Sequence, residues 1–299
     1  MLELRTLAMG LAFSIMWASA FSSARIIVAD APPLLALSVR FFVSGLLAVG
    51  LAWALGQSWR LTRSQARGTI LFGLCQNAIY LGLNFVAIQT IEASLAVIIA
   101  SSLPLVVACV LWLGYGERLP FLGVAGLGAG FAGVALIMGS RLQGGADPFG
   151  VVLCVLAVAA LTTATLAVRV ASSGGNLLMI VGLQMLVGSV ALIVPSALFE
   201  TWEVTWSWPL AAAFAYTMLV PGLGATLVWF MLVGQVGPTR AATFHFLNPF
   251  FGVATAAVVL GEPMGRADIM GVAIVMAGIL AVQLARQAPS KVPVDRPET

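Results

Sequence analysis

Charge is what this 299-residue chain has least of. Lys, Arg, Asp and Glu make up 8% of it and hydrophobic residues 61%, whereas an ordinary soluble domain is about 25% charged. No soluble globule of this length can bury that much apolar surface, so the chain reads as a polytopic membrane protein. Histidine occurs once, at His245, and cysteine only at Cys75, Cys109 and Cys154, each inside an apolar run. That pattern excludes a disulfide framework and a metal cluster, and the three thiols read as small core residues. The net charge of +3 gives no sign of nucleic-acid binding and reflects orientation in a membrane. No motif asks for a cofactor.

What is present is a series of apolar runs near twenty residues long. Cutting at charged residues and at Pro or Gly breaks gives ten spans, at 6–28, 34–55, 68–88, 93–114, 119–139, 149–170, 177–198, 209–233, 238–260 and 266–286. Short connections make successive helices antiparallel neighbours. Arg5 and the Ala18-Ser19-Ala20 sequence give the first span the look of a signal peptide, but the apolar run continues past that site to Val28. Strict alternation from a cytoplasmic N-terminus puts ten Lys and Arg residues inside and four (Arg25, Arg40, Arg141, Arg266) outside, so both termini are expected in the cytoplasm.

Two stretches of the chain repeat each other. Ser94, Pro104, Glu117, Gly126 and Gly133 recur as Thr239, Pro249, Glu262, Gly271 and Gly278, all at an offset of 145. Gly116-Glu117 answers Gly261-Glu262, and Ala132-Gly133 answers Ala277-Gly278. At an offset of 144 Arg25 faces Arg169, and Ser44-Gly45 faces Gly188-Ser189. The expected fold is therefore all-α and membrane-integral, with units at 1–140 and 147–286 and a disordered tail at 287–299. Each unit holds five spans, an odd number, so the second enters the membrane from the opposite side. The result is two inverted five-helix repeats around a central cavity, an architecture common among secondary transporters.

Inside hydrocarbon a polar side chain must face protein or water, so its spacing reports the inward face. On the third span Gly73, Asn77, Tyr80 and Asn84 fall on one helical stripe. His245 and Asn248 are three residues apart, after Phe244 and before Pro249. Ser14, Trp17 and Phe21 line the first span, Ser101 and Ser102 the fourth, and Thr162, Thr163 and Thr165 the sixth. The candidate cavity residues are Ser14, Trp17, Phe21, Asn77, Tyr80, Asn84, Ser101, Thr163, Phe244, His245 and Asn248. Each has a second reading as packing: hydroxyls bond back to their own helix, and Asn can join two helices. Pro104, Pro221, Gly222 and Pro249 are candidate hinges, because proline removes a backbone donor and bends a helix. The glycines of the fifth and tenth spans have small-xxx-small spacing and read as packing. Trp53, Trp59, Trp202, Trp206 and Trp208 read as interfacial anchors.

No Asp, Glu or Lys falls near the middle of a span, whereas proton-coupled carriers usually keep a carboxylate there. Arg25 and Arg40 lie toward the outer ends, from which their stems are expected to snorkel. These absences favour facilitated, gradient-driven movement.

The motifs resemble the drug/metabolite transporter superfamily, specifically its EamA-type members, over about 280 residues. The residues that carry the likeness are Pro104, Gly116-Glu117 and Ala132-Gly133, and their counterparts Pro249, Gly261-Glu262 and Ala277-Gly278. The Trp17-Ala18-Ser19-Ala20-Phe21 signature and Arg40-Phe41 add to it. Within the superfamily the chain looks like the YddG-type exporters of aromatic and other amino acids. The resemblance implies export of small metabolites by alternating access across a bacterial inner membrane. The small four-helix multidrug members carry a glutamate in the first helix, where Ser14 and Trp17 stand here, so proton antiport of cationic drugs is not implied.

The leading reading is a transporter for neutral or zwitterionic amino acids. Aromatic side chains would pack on Trp17, Tyr80 and Phe244 while Asn77, His245 and Asn248 bond the polar end. A nucleotide-sugar or phosphorylated-metabolite transporter would need fixed cations in mid-span, and an intramembrane enzyme would need a metal or paired acids. The partners expected are a small-molecule substrate and membrane lipids; a monomer is compatible with the sequence.

Overall fold

The structure, a computed structural model, describes residues 2–168 and 176–287. Among these residues it is all helix, without strands, and ten helices are long and apolar enough to cross a membrane. They are α1 (Leu2–Asp30), α2 (Pro33–Ala54), α3 (Arg63–Ala87), α4 (Ala93–Tyr115) and α5 (Phe121–Gln143), followed by α6 (Pro148–Val168), α7 (Leu177–Phe199), α8 (Trp208–Val236), α9 (Arg240–Leu260) and α10 (Arg266–Gln287). The expected disordered tail from 288 onward, Arg169 and the end of the sixth span at 170 lie outside the described residues.

Local chemistry fixes several helix ends. Thr62 and Gln65 form a reciprocal capping box, which starts α3 at Arg63, five residues ahead of its apolar run. Ser207 accepts the Leu210 N–H at 3.1 Å and opens α8. Gly116 and Gly261 end α4 and α9 in the left-handed region, at φ +69° and +68°. Asp147 accepts the N–H groups of Phe149 and Gly150 at 3.0 and 3.2 Å and caps α6. The Thr90 side chain and these two N–H groups hold its carboxyl below the usual carboxylate range.

Two helix pairs dominate the packing, and both join the first part of the chain to the second. α5 and α10 meet glycine to glycine: a Cβ on Gly278 would stand 2.6 Å from Gly130 Cα, and one on Gly126 would stand 2.9 Å from Gly278 O. The backbones approach so closely because neither side carries a side chain there, which is what close crossings in lipid require. α2 and α7 cross through Gly45 and Gly182, with Ser38 Oγ donating to Ser189 O and Ser189 Oγ to Ser38 O, each at 2.9 Å. Both pairs are antiparallel. The N-terminus of α2 is capped from beyond the far end of α7, as Leu34 N and Leu35 N donate to Glu200 at 2.7 and 3.0 Å. The N-terminus of α7 is capped from beyond α2, as Met179 N donates to Gln57 at 3.0 Å.

Irregular turns recur at the repeat offset. α3 widens into a π segment at Gly73–Tyr80 and α8 into another at Met218–Gly224, their starts 145 residues apart. α4 is interrupted at Ser102, just before Pro104, and α9 by a 3₁₀ turn at Phe244–Leu247, just before Pro249. Each proline lacks the N–H that a continuous helix would use. The candidate hinges thus all fall at helix irregularities, with Pro221 and Gly222 inside the second π segment. The five tryptophans expected as interfacial anchors are exposed at or beyond helix ends.

Candidate functional site

The 3₁₀ turn of α9 sets up a cluster with α1 and α8. Ser14 Oγ donates to Phe244 O at 2.9 Å, tying α1 to the turn, and Gly10 leaves the space that the Phe244 ring fills. His245 then lies among three rings from the other two helices. Phe13, Trp229 and Trp17 stand 5.2, 5.3 and 6.0 Å from it, all edge-to-face. That arrangement sets ring edges against ring faces, which the aromatic quadrupole favours. Phe13 also packs on Trp229 at 4.8 Å, and Trp17 on Phe21 at 5.7 Å.

Asn248 Nδ2 lies 2.9 Å from His245 Nδ1, and with the amide donating, the ring proton sits on Nε2. Asn248 is 1% exposed and its Oδ1 has no partner among the described residues. The cluster therefore offers apolar ring walls, one imidazole N–H and one unused amide oxygen. Among the described residues no three potential metal ligands come together.

The remaining predicted residues go elsewhere. Asn77 turns to α7, where Nδ2 donates to Gln184 O at 2.9 Å and Gly188 makes room for its Cβ. Tyr80 is buried in the main apolar core. Asn84 Nδ2 returns to Tyr80 O at 2.8 Å, and its Oδ1 accepts from Cys154 Sγ at 3.5 Å. Ser101 bonds back to Val97 O, and Thr163 is exposed and bonds back to Ala159 O. Ser14, Trp17, Phe21, Phe244, His245 and Asn248 are thus brought together; Asn77, Tyr80, Asn84, Ser101 and Thr163 are not part of that cluster.

Three residues at or near this level were not among the sequence candidates. Phe13 and Trp229 complete the ring wall; Trp229 lies well inside its span, the same signal that singled out Trp17. The third is Arg40. Its stem was expected to snorkel outward, but the residue is buried, with Nη2 3.6 Å from where a Cβ on Gly222 would stand. Arg25, nearer the end of its own helix, differs: it is only partly buried and donates to the carbonyls of Ile88 and Ile91 just past the end of α3. α1 and α8 are further joined by Ser19 Oγ to Tyr216 OH and Thr217 Oγ1 to Ser23 Oγ, both 2.7 Å.

Comparison with known proteins finds the chain similar to several transporters. The EamA-like transporter family model matches it twice, at residues 4–139 and 148–284. The uncharacterized transporter YvbV of Bacillus subtilis is 27% identical, with 92% of this chain and 90% of that one covered. The uncharacterized inner membrane transporter YedA of Escherichia coli K12 is 24% identical over 96% and 93%. A solved crystal structure matches with a TM-score of 0.64 at 18% identity, covering 95% of this chain and 99% of its own, a likeness of fold.

Proposed function

Since the chain belongs to the EamA-like transporter family, we propose that it exports neutral and zwitterionic metabolites, aromatic amino acids foremost, across a bacterial inner membrane. The route runs between two inverted five-helix halves that open alternately to either side, with both termini in the cytoplasm. The antiparallel pairing of α2 with α7 supports inversion, because these helices hold corresponding places in the two halves.

One observation carries the substrate class: the lone histidine of the chain sits within a wall of Phe13, Trp17 and Trp229 and beside an unpaired Asn248 Oδ1. Rings suit an apolar or aromatic side chain, and an imidazole with an amide suits polar groups at its other end. No carboxylate stands in this cluster to take up and release a proton, which favours downhill movement.

The test is counterflow in proteoliposomes without an ion gradient, with labelled phenylalanine, tryptophan and methionine. Accumulation of label driven by unlabelled amino acid inside is the expected result. If none of the three moves or competes, the amino-acid reading fails.

A further inference from the structure

Arg40 is a buried charge without a countercharge. It is 7% exposed, and among the described residues it makes no hydrogen bond and no ion pair. Its Cζ lies 5.3 Å from the Phe41 ring centroid, and one such ring contact returns only part of what desolvating a guanidinium costs. The other partly buried arginines differ: Arg25 bonds backbone carbonyls, Arg141 pairs with Asp268 and Glu92, and Arg286 pairs with Glu117.

Its location narrows the purpose. Arg40 is seven residues beyond Pro33, roughly 10 Å below the start of α2 at 1.5 Å per residue. The guanidinium lies beside Gly222 in the π segment of α8, within van der Waals reach of where a Cβ there would stand. Two residues on, Gly224 approaches Met16 Sδ, so the charge is at about the depth of Trp17. π segments within α-helices often mark functional sites.

The repeat supplies an internal comparison. Gly222 corresponds to Asn77 at the offset of 145, and Arg40 to Gln184 at 144. At that matching junction no charge is present, and Asn77 Nδ2 donates to the backbone O of Gln184. Only the α2–α8 junction holds an unpaired charge, so the fold itself does not require one.

We propose that Arg40 is the carboxylate receptor of the transported solute, an inference that rests on the transport reading above. A guanidinium presents two parallel N–H donors that fit one carboxylate bidentately, and one fixed cation balances one such charge. A phosphate dianion would be left half compensated. The solute class is thus a small monocarboxylate, zwitterionic amino acids included.

The test measures binding to the purified full-length chain by tryptophan fluorescence and thermal shift. The probes are L-phenylalanine, 3-phenylpropionate, L-phenylalaninamide and phenyl phosphate. Both carboxylates are expected to bind at least tenfold more tightly than the amide, with the preference lost in Arg40→Gln and partly kept in Arg40→Lys. Equal binding of acid and amide, no binding of either acid, tightest binding of phenyl phosphate, or an unchanged preference in Arg40→Gln overturns the proposal. The wild-type comparison stands even where a variant fails to fold. Counterflow on the same preparation separates the two readings. Arg40-dependent acid binding without counterflow sinks transport and leaves the receptor, whereas counterflow with no acid preference does the reverse.

Discussion

Glu262 caps a helix from the first half of the chain: its carboxylate accepts the N–H of Ala93 at 2.8 Å and that of Ser94 at 3.0 Å, closing the N-terminus of α4. Gly261 makes this possible, because its left-handed turn ends α9 and swings the next residue toward α4. The Gly-Glu pair, which the sequence shows only as a recurring motif, joins the first and second halves of the chain here. Glu262→Ala leaves two helix-end donors unmet and is expected to cost about 1–2 kcal/mol. Glu262→Gln, which keeps one acceptor, should fall between it and wild type in thermal unfolding in detergent.

Beside this joint, Arg141 grips Asp268 with two bonds, Nε to Oδ1 at 3.0 Å and Nη2 to Oδ2 at 2.9 Å, while Nη1 reaches Glu92. Asp268 is 4% exposed, so removing its partner leaves a buried charge. Arg141→Leu should cost about 3 kcal/mol. The Arg141→Leu/Asp268→Leu double variant should be more stable than the sum of the two single losses. A strictly additive double-mutant cycle would refute the coupling.

The α5–α10 crossing has no room for a methyl group. Gly278→Ala puts Cβ against Gly130 backbone and is expected to destabilise by about 1–3 kcal/mol through forced separation of the helices. Gly139→Ala is the control, since nothing lies within 4 Å of its added Cβ. It should stay within about 0.5 kcal/mol of wild type.

In the aromatic cluster, Trp229→Ala removes a ring that touches both Phe13 and His245. The half-saturation for phenylalanine counterflow should rise roughly tenfold, equivalent to about 1.4 kcal/mol. His245→Gln is expected to slow downhill flux without abolishing it. Complete loss of flux in a folded variant would point to an obligatory role for the imidazole.

The number of spans and most of their ends were readable from hydropathy, because a membrane helix must be long and apolar whatever it packs against. α3 shows where that reading stops. The stripe of Gly73, Asn77, Tyr80 and Asn84 assumes 3.6 residues per turn, but the π segment at Gly73–Tyr80 breaks that period. Asn77 is delivered to α7 and Asn84 to Cys154 of α6. The His245–Asn248 pair was legible because both residues are polar and close in sequence. Phe13 was not, since a ring in an apolar helix carries no mark of the histidine it touches. Arg40 was misjudged because its distance from the helix end was read as a path to water, whereas the segment it lies against belongs to α8.

The wide turns in α3 and α8 each hold a residue's worth of slack in a helix of otherwise regular pitch. Deleting one residue there would therefore not trim a connection. It would tighten the coil and swing everything downstream by roughly 100°, turning Asn84 away from Cys154 or Trp229 away from His245.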